Sequence, residues 1–246
     1  MKSHIPKSHP RAKSLYVRER LVHAFNDGLV ATEGLMAHGR GEAFDYLIGE
    51  KTCSSARRAI KAAAYMLKQA KMPVISVNGN LAGLCPREIV QLANVLNAKI
   101  EINLFYASEK RKSNILRELK KNGAGRVFGI DKKNSVRISG LDSARRVVDR
   151  DGIYAADVVI VPLEDGDRTI ALKKAGKCVI TFDLNPLSRT AQAADITIVD
   201  NVVRGIKLLI LECKKRQKIS TFDNKKNLAA AITEIKNNLT KRTADA

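Results

Sequence analysis

The chain has 246 residues, 45% of them apolar, which is enough to bury the core of one large domain or two small ones. This composition excludes a disordered or fibrous chain, and no apolar stretch approaches the ~20 residues that a membrane-spanning helix needs. The N-terminus has no apolar signal-like region, and the four cysteines form no Cys-x-x-Cys pair. We therefore expect a cytoplasmic protein with reduced thiols and no membrane partner.

The net charge of +19 is concentrated in three windows. Residues 1–20, 107–150 and 214–246 carry +5, +8 and +6, and the rest of the chain is close to neutral. Lysine blocks of this kind are commonly solvated surfaces, and the aromatic residues that base stacking requires make up only 4% of the chain. We do not expect nucleic acid to be the main partner, although an α/β protein that binds nucleic acid through these basic segments remains the alternative function.

The first 72 residues predict helices. Apolar residues recur at helical spacing over 14–27, a short amphipathic segment covers 43–48, and a long alanine-rich segment covers 54–71. The basic tail predicts one more helix, because Leu228, Ile232, Ile235 and Leu239 lie on one face.

From Pro73 onward, short β-branched runs alternate with helical segments. The predicted strands are 74–77, 99–104, 126–130, 157–163, 178–182 and 196–199. The predicted helices between them are 86–96, 109–122, 168–175 and 202–218. This order predicts an α/β fold, with a Rossmann-like, mostly parallel sheet and helices on both faces. We divide the chain into a helical part packed on the core (1–72), the α/β core (73–218) and a basic tail (219–246).

Polar residues follow most of the predicted strands. They are Asn78 to Asn80, Asn103, the segment 164–168, Asp183 to Asn185, and Asp200 with Asn201. Asx residues at strand ends also make turns, and that reading explains any one of these positions. The carboxyl ends of neighbouring parallel strands open into one crevice, so together the positions favour a binding site.

Three further segments are candidates for binding an anion or a metal ion. The run 78–83 resembles a glycine-rich anion loop, but it matches neither the dinucleotide fingerprint nor the P-loop, which argues against a nicotinamide-dependent oxidoreductase. Asp165 and Asp167 are candidate Mg²⁺ ligands or a helix cap. Arg40 stands between two glycines, either in a phosphate-binding segment or in a solvated loop.

Long motifs resemble archaeal phosphopantothenate synthetases. They are IPKSHPR at 5–11, AHGRGEAFDYLIGEKT at 37–52, VNGN at 77–80, INLF at 102–105, PLEDGDRT at 162–169, DLNPLSR at 183–189 and VDN at 199–201. The resemblance implies a homodimeric, ATP-dependent ligase of coenzyme A biosynthesis. Such an enzyme joins 4-phosphopantoate to β-alanine through an acyl adenylate and releases AMP and diphosphate.

The resemblance also implies a set of ATP contacts. They are Arg18, Arg40, Asp183, Leu184, Asn185, Arg189, Thr190, Asp200 and Asn201. Mg²⁺ is expected to accompany ATP. As hypotheses for catalysis we name Arg40 and Lys51, and for 4-phosphopantoate we add Asn78, Asn80 and Arg168. The segment 107–150 and the tail carry no motif of this family.

Overall fold

The computed structural model describes residues 5–6, 8–163, 166–216 and 221–244. Its helices are α1 (Ala12–Asn26), α2 (Thr32–Ile48), α3 (Ser54–Gln69), α4 (Gly79–Leu84), α5 (Pro86–Leu96), α6 (Glu109–Lys121), α7 (Gly166–Lys174), α8 (Arg189–Ala193), α9 (Val202–Cys213) and α10 (Asn224–Ala244). Its strands are β1 (Pro73–Val77), β2 (Lys99–Ile102), β3 (Val127–Phe128), β4 (Ser135–Arg137), β5 (Val147–Asp149), β6 (Val158–Ile160), β7 (Cys178–Phe182) and β8 (Ile196–Ile198).

Six strands form one all-parallel sheet in the order β3-β2-β1-β6-β7-β8. All six were predicted from the sequence, so the α/β fold with a parallel sheet is confirmed. The antiparallel pair of β4 and β5 was missed, because each strand has three residues and carries no usable periodicity.

Both faces of the sheet are covered, which explains why its strands are apolar almost throughout. Side chains alternate across a strand. Ile75 and Ile180 therefore join the core cluster that includes residues of α3, α5 and α9. Val74 and Val179 instead join the cluster formed with α7 and the segment 138–156. On the first face, α3 and α5 both pack against α9.

The segment around Arg40 is helical, so the solvated-loop reading is wrong. Helix α2 begins at Thr32, well before the predicted start at residue 43, and runs through Gly34, Gly39 and Gly41. Glycine lowers helix propensity, but tertiary packing overrides that preference here. The helix ends at Gly49, whose φ of 86° provides the left-handed C-terminal residue that glycine adopts most easily.

The run 78–83 is also helical rather than an extended anion loop. Asn78 is the N-cap of α4, and its side-chain oxygen accepts a hydrogen bond from the main-chain N–H of Leu81 at 2.9 Å. A Cβ on Gly83 would collide with Ala24 of α1, so this glycine permits close packing of α4 on α1.

In the described part of the chain, none of the helices combines the length and the apolar character needed to span a bilayer.

Glu101 on β2 is a buried carboxyl group in the sheet. Burial raises its pKa to about 7, although two main-chain N–H groups and nearby Arg168 act in the opposite direction. A raised carboxyl pKa stabilises the fold below the unfolded pKa, and that stability is lost as the pH rises through the folded value.

We therefore expect the free energy of unfolding of the wild type, relative to that of Glu101→Gln, to fall by about 3 kcal/mol between pH 4.5 and 7.5. Urea unfolding of both proteins across this range measures the difference. A difference that stays constant with pH would contradict the raised pKa.

Candidate active site

A cavity lies where the sheet order reverses direction, beyond the carboxyl ends of β1 and β6. It has a volume of about 500 Å³. The chain proceeds from β1 to β2 and β3 on one side, and then returns to place β6, β7 and β8 on the other. Open parallel sheets bind ligands at this point. Asn78 bridges it, because its amide donates to the carbonyls of Pro162 and Leu163 at 2.9 and 3.4 Å.

Half of the cavity, the β7–β8 lobe, is formed by the segments that follow β7 and β8. Its lining residues are Arg40, Gly41, Phe44, Asp183, Leu184, Asn185, Ser188, Arg189, Thr190, Asn201 and Val202. Seven of the nine residues that the resemblance gives as ATP contacts are in this lobe. Four separate segments supply them: Arg40 comes from α2, Asp183 to Asn185 follow β7, Arg189 and Thr190 begin α8, and Asn201 is the N-cap of α9.

Asp183 organises the turn after β7. One of its oxygens accepts from the main-chain N–H of Asn185 at 2.9 Å, and the other accepts from the hydroxyl of Ser188. Ser188 in turn caps α8 by accepting from the N–H of Ala191. Burial raises the pKa of Asp183, and these hydrogen bonds and the charge of Arg40 offset part of the effect. The turn is thus preorganised beside the cavity.

Two guanidiniums bring positive charge to this lobe. Arg40 and Arg189 are both solvent-exposed. Arg189 forms an ion pair with Asp167, with an Nη1–Oδ1 distance of 3.0 Å. Exposed ion pairs contribute little stability, so a polyanion can take over this arginine without a large penalty.

The other half of the cavity, the β1–β2 lobe, contains two arginines that the sequence reasoning missed. It is lined by Ala31, Glu33, Gly34, Asn78, Gly79, Asn80, Leu104, Phe105, Tyr106, Arg111 and Arg145. Both arginines belong to the basic window 107–150, for which the sequence predicts a solvated surface. No signal in the sequence separates them from the neighbouring lysines and arginines.

The surroundings of Arg111 suit a side chain that binds an anion. Its guanidinium donates to the main-chain carbonyls of Tyr106 and Leu29, while its Nε is buried without a hydrogen-bond partner in the described residues. Burial lowers the pKa of this guanidinium. A Cβ on Gly79 would collide with the carbonyl of Leu29 and crowd Arg111, so this close approach requires glycine. A half-buried cation at a cavity wall favours an anionic ligand.

Arg145 comes from the segment before β5. Its guanidinium lies 5.6 Å from the ring centroid of Phe105, within cation–π range, and the residue is buried. The side-chain amide of Asn103 donates to the main-chain carbonyls of Arg145 and Val147 at 3.2 and 3.0 Å.

Arg18, Arg168 and Lys51, which were named from the sequence, lie outside the cavity lining. Arg18 binds Glu42, itself a lining residue, at 2.7 Å, and so stands one layer behind the wall. Arg168 is fully buried and donates to Ser76. Lys51 is exposed beyond the end of α2.

Asp200 is also outside the lining, in a buried ionic cluster that holds α2 against the sheet. Arg204 binds both oxygens of Asp45 at 2.6 and 2.9 Å and reaches Asp200 at 2.6 Å. Thr52 donates to the second oxygen of Asp200, and Asn201 donates to Asp45. The cluster therefore fixes the helix that carries Arg40 beside the strand ends.

The structure describes one of the two predicted Mg²⁺ ligands. Asp165 lies outside the described residues, and Asp167 pairs with Arg189 at the rim. Across residues 5–6, 8–163, 166–216 and 221–244, no group of three or more His, Cys, Asp or Glu is arranged to hold a metal ion.

The model of the family described as phosphopantothenate/pantothenate synthetase matches residues 55–238, which is most of the chain. The chain belongs to this family. It is 50% identical to the 4-phosphopantoate–beta-alanine ligase of Thermococcus kodakarensis and 52% identical to that of Thermococcus onnurineus, in both cases over 96% of this chain and 94% of the relative. The Methanosarcina mazei protein of the same name is 46% identical over 98% of both chains. Most of the family motifs noted in the sequence thus come together at one cavity of this phosphopantothenate synthetase family member.

Proposed function

We propose that this chain is a 4-phosphopantoate–β-alanine ligase of coenzyme A biosynthesis, which uses ATP and releases AMP and diphosphate. The single observation that carries the proposal is convergence. Residues from distant motifs of a family whose named relatives are ligases line one cavity at the reversal point of a parallel sheet. Arg40, Asp183, Asn185 and Asn201 are examples, and they span most of the chain.

Joining an acid to an amine requires activation, because a carboxylate is a poor electrophile. In the proposed reaction, a carboxylate oxygen of 4-phosphopantoate attacks the α-phosphorus of ATP, and diphosphate leaves. The amine of β-alanine, in its neutral form, then attacks the acyl carbon of the resulting acyl adenylate. The C–N bond forms, AMP departs with the electrons of the acyl–oxygen bond, and the nitrogen loses a proton to water. No enzyme group has to act as a base when the amine enters unprotonated, so positioning is the main catalytic device.

The two lobes suit the two acidic substrates. We propose that ATP occupies the β7–β8 lobe, with Arg40 and Arg189 offsetting the charge of its phosphates. Arg18 would support this lobe through Glu42, and Asp200 would do so through Arg204. The backbone and side chains of Asp183 to Asn185 would hold the adenosine.

We propose that 4-phosphopantoate occupies the β1–β2 lobe. Arg111 and Arg145 take the role that the sequence reasoning gave to Lys51 and Arg168, because they line the cavity. Asn78 and Asn80 also line it, but their amides donate to main-chain carbonyls, Asn80 to that of Gly34 at 2.8 Å. These asparagines would therefore shape the lobe more than they would bind the phosphate. The carboxylate of the acid would then point toward the adjoining lobe.

Mg²⁺ would come with the nucleotide rather than reside in the protein. The ion is commonly held by substrate phosphates, waters and one or two carboxylates. Asp167 can offer one carboxylate after Arg189 turns to the phosphates. Bound there, the ion would neutralise charge on the phosphate oxygens.

The homodimer and the cytoplasmic location remain predictions. Helix α2 lines the cavity on one side and exposes Met36 on its surface. A second subunit would cover such a surface. Equilibrium ultracentrifugation of the purified protein tests the dimer.

The proposed function is tested by AMP release. We expect AMP to accumulate only when ATP, 4-phosphopantoate and β-alanine are all present, with one diphosphate for each AMP. The alternative function, nucleic-acid binding through the basic segments, would appear as binding that weakens steeply with salt in a protein without this turnover. Absence of AMP from the complete mixture would refute the ligase.

A further inference from the structure

Strand β2 presents three polar side chains on one face, at every second residue. They are Lys99, Glu101 and Asn103, the last lying just beyond the strand end. Ile100 and Ile102 face the opposite side and belong to the main core. A row of polar groups is unusual on the face of a buried parallel strand. The proposed reaction gives none of the three a role in contact with substrate.

Each of these side chains binds the main chain of the segment 145–153, which covers this part of the sheet. Lys99 donates to the carbonyl of Asp151 at 2.5 Å. The two oxygens of Glu101 accept from the N–H groups of Asp149 and Ile153 at 3.0 and 2.6 Å. Asn103 donates to two carbonyls nearer the cavity, those of Arg145 and Val147. We call this row of contacts the β2 ladder.

The ladder is built for a carboxylate at its centre. Both oxygens of Glu101 accept from main-chain N–H groups, and in its ionised form the carboxylate has no proton that would need an acceptor. A Cβ on Gly152 would collide with Oε2 of Glu101, so glycine is required for the segment to close over this group. Arg168 on α7 and Asp149 on β5 are the charged residues that act on Glu101. The geometry of these contacts thus joins β2 directly to the main chain of the segment 145–153.

We propose that Glu101 and Asn103 are positioning residues: through the β2 ladder they hold the segment 145–153 so that Arg145 stands in the β1–β2 lobe and binds the anionic acid. This role rests on the proposed function, since it assumes that the lobe takes the phosphorylated acid. Glu101 itself touches no substrate. Its effect passes through the main chain of β5 to a guanidinium at the cavity wall.

The test is a double-mutant cycle between Glu101→Gln and Arg145→Ala. Glutamine keeps the size of the side chain but faces one N–H with its own NH₂ group, so one hydrogen bond is lost. We expect the KM for 4-phosphopantoate to rise about tenfold, the effect of one well-formed hydrogen bond. We expect kcat and the KM for ATP to stay within about twofold. Adding Glu101→Gln to Arg145→Ala should change the KM for the acid no further.

Val148→Ala is the matched control. Val148 is buried in β5 between two anchored residues, but its side chain packs in an apolar cluster and takes no part in the ladder. We expect this variant to lose stability while keeping the KM for the acid. Hydrogen exchange gives a second readout that does not depend on activity: protection of the amides of Asp149 and Ile153 should fall in Glu101→Gln and persist at Ile153 in Val148→Ala.

If Glu101→Gln does not fold, the same double-mutant cycle with Arg145→Ala can be measured with Asn103→Ala, which removes the contacts at the other end of the β2 ladder. An active wild type whose KM for the acid is unchanged in both variants would overturn the positioning role and leave the proposed function intact. The positioning role would also be overturned if the increases in KM for the acid in the two single mutants multiplied in the double mutant. A wild type that makes no AMP from the complete mixture would refute the proposed function and this role together.

Discussion

Arg204→Ala is expected to lower the free energy of unfolding by about 3–5 kcal/mol, the cost of leaving buried carboxylates without their cation. Asp200 is fully buried and Asp45 nearly so, and Arg204 lies between them. For a chain of this length the loss corresponds to a fall in Tm of about 10 °C. Urea titration and calorimetry measure both quantities.

A surface ion pair of the same chain provides the control. Lys226 and Asp223 are 3.9 Å apart and both largely exposed. Lys226→Ala should change the free energy of unfolding by less than about 0.5 kcal/mol. A loss below about 1 kcal/mol in Arg204→Ala would mean that the cluster does not anchor α2. We also expect weakened ATP use in Arg204→Ala below its Tm, since α2 carries Arg40.

Arg40→Ala is expected to reduce kcat/KM for ATP by about 100-fold, because it removes a cation from the place where charge develops on the α-phosphate. The fold should survive, since Arg40 is exposed and its side chain is not part of a core cluster. Arg40→Lys should recover only part of the loss, because lysine lacks the planar fork of donors. Steady-state kinetics with ATP varied at saturating acid and amine gives the values.

Arg57→Ala is the matched control for this prediction. Arg57 is an exposed arginine on α3 and does not line the cavity. We expect its kinetics to equal those of the wild type. Equal ATP dependence in Arg40→Ala and Arg57→Ala would remove the β7–β8 lobe as the nucleotide site.

The sequence was most informative where local and tertiary signals agree. The six strands of the sheet are β-branched runs with nearby turn residues, and the structure has them all. The expectation that strand ends converge also held for Asn78, Asp183 and Asn201, because parallel strands open at one edge. The side chain of Asp200, the residue before Asn201, instead contacts Arg204 on α9. Arg204 is also held by Asp45 of α2, so this contact depends on how two helices pack in the folded chain.

The errors in the prediction have physical causes. Only residues 43–48 of α2 were predicted, but the helix begins at Thr32 and includes the glycines around Arg40, because tertiary packing overrides their low helix propensity. Arg168 followed a strand end and was taken for a phosphate ligand, yet its place on α7 turns it toward Ser76 in the sheet. Arg111 and Arg145 were missed because they differ from the surrounding cations in lining the cavity, and that position is a property of the folded chain.

The central claim is that one cavity holds the nucleotide and the acid in adjoining lobes. A crystal structure with a non-hydrolysable ATP analogue and 4-phosphopantoate tests it most directly. We expect adenosine against Asp183 to Asn185, the nucleotide phosphates beside Arg40 and Arg189, and the phosphate of the acid within hydrogen-bond distance of Arg111 or Arg145. A nucleotide bound elsewhere, or an acid without contact to either of these two arginines, would contradict it.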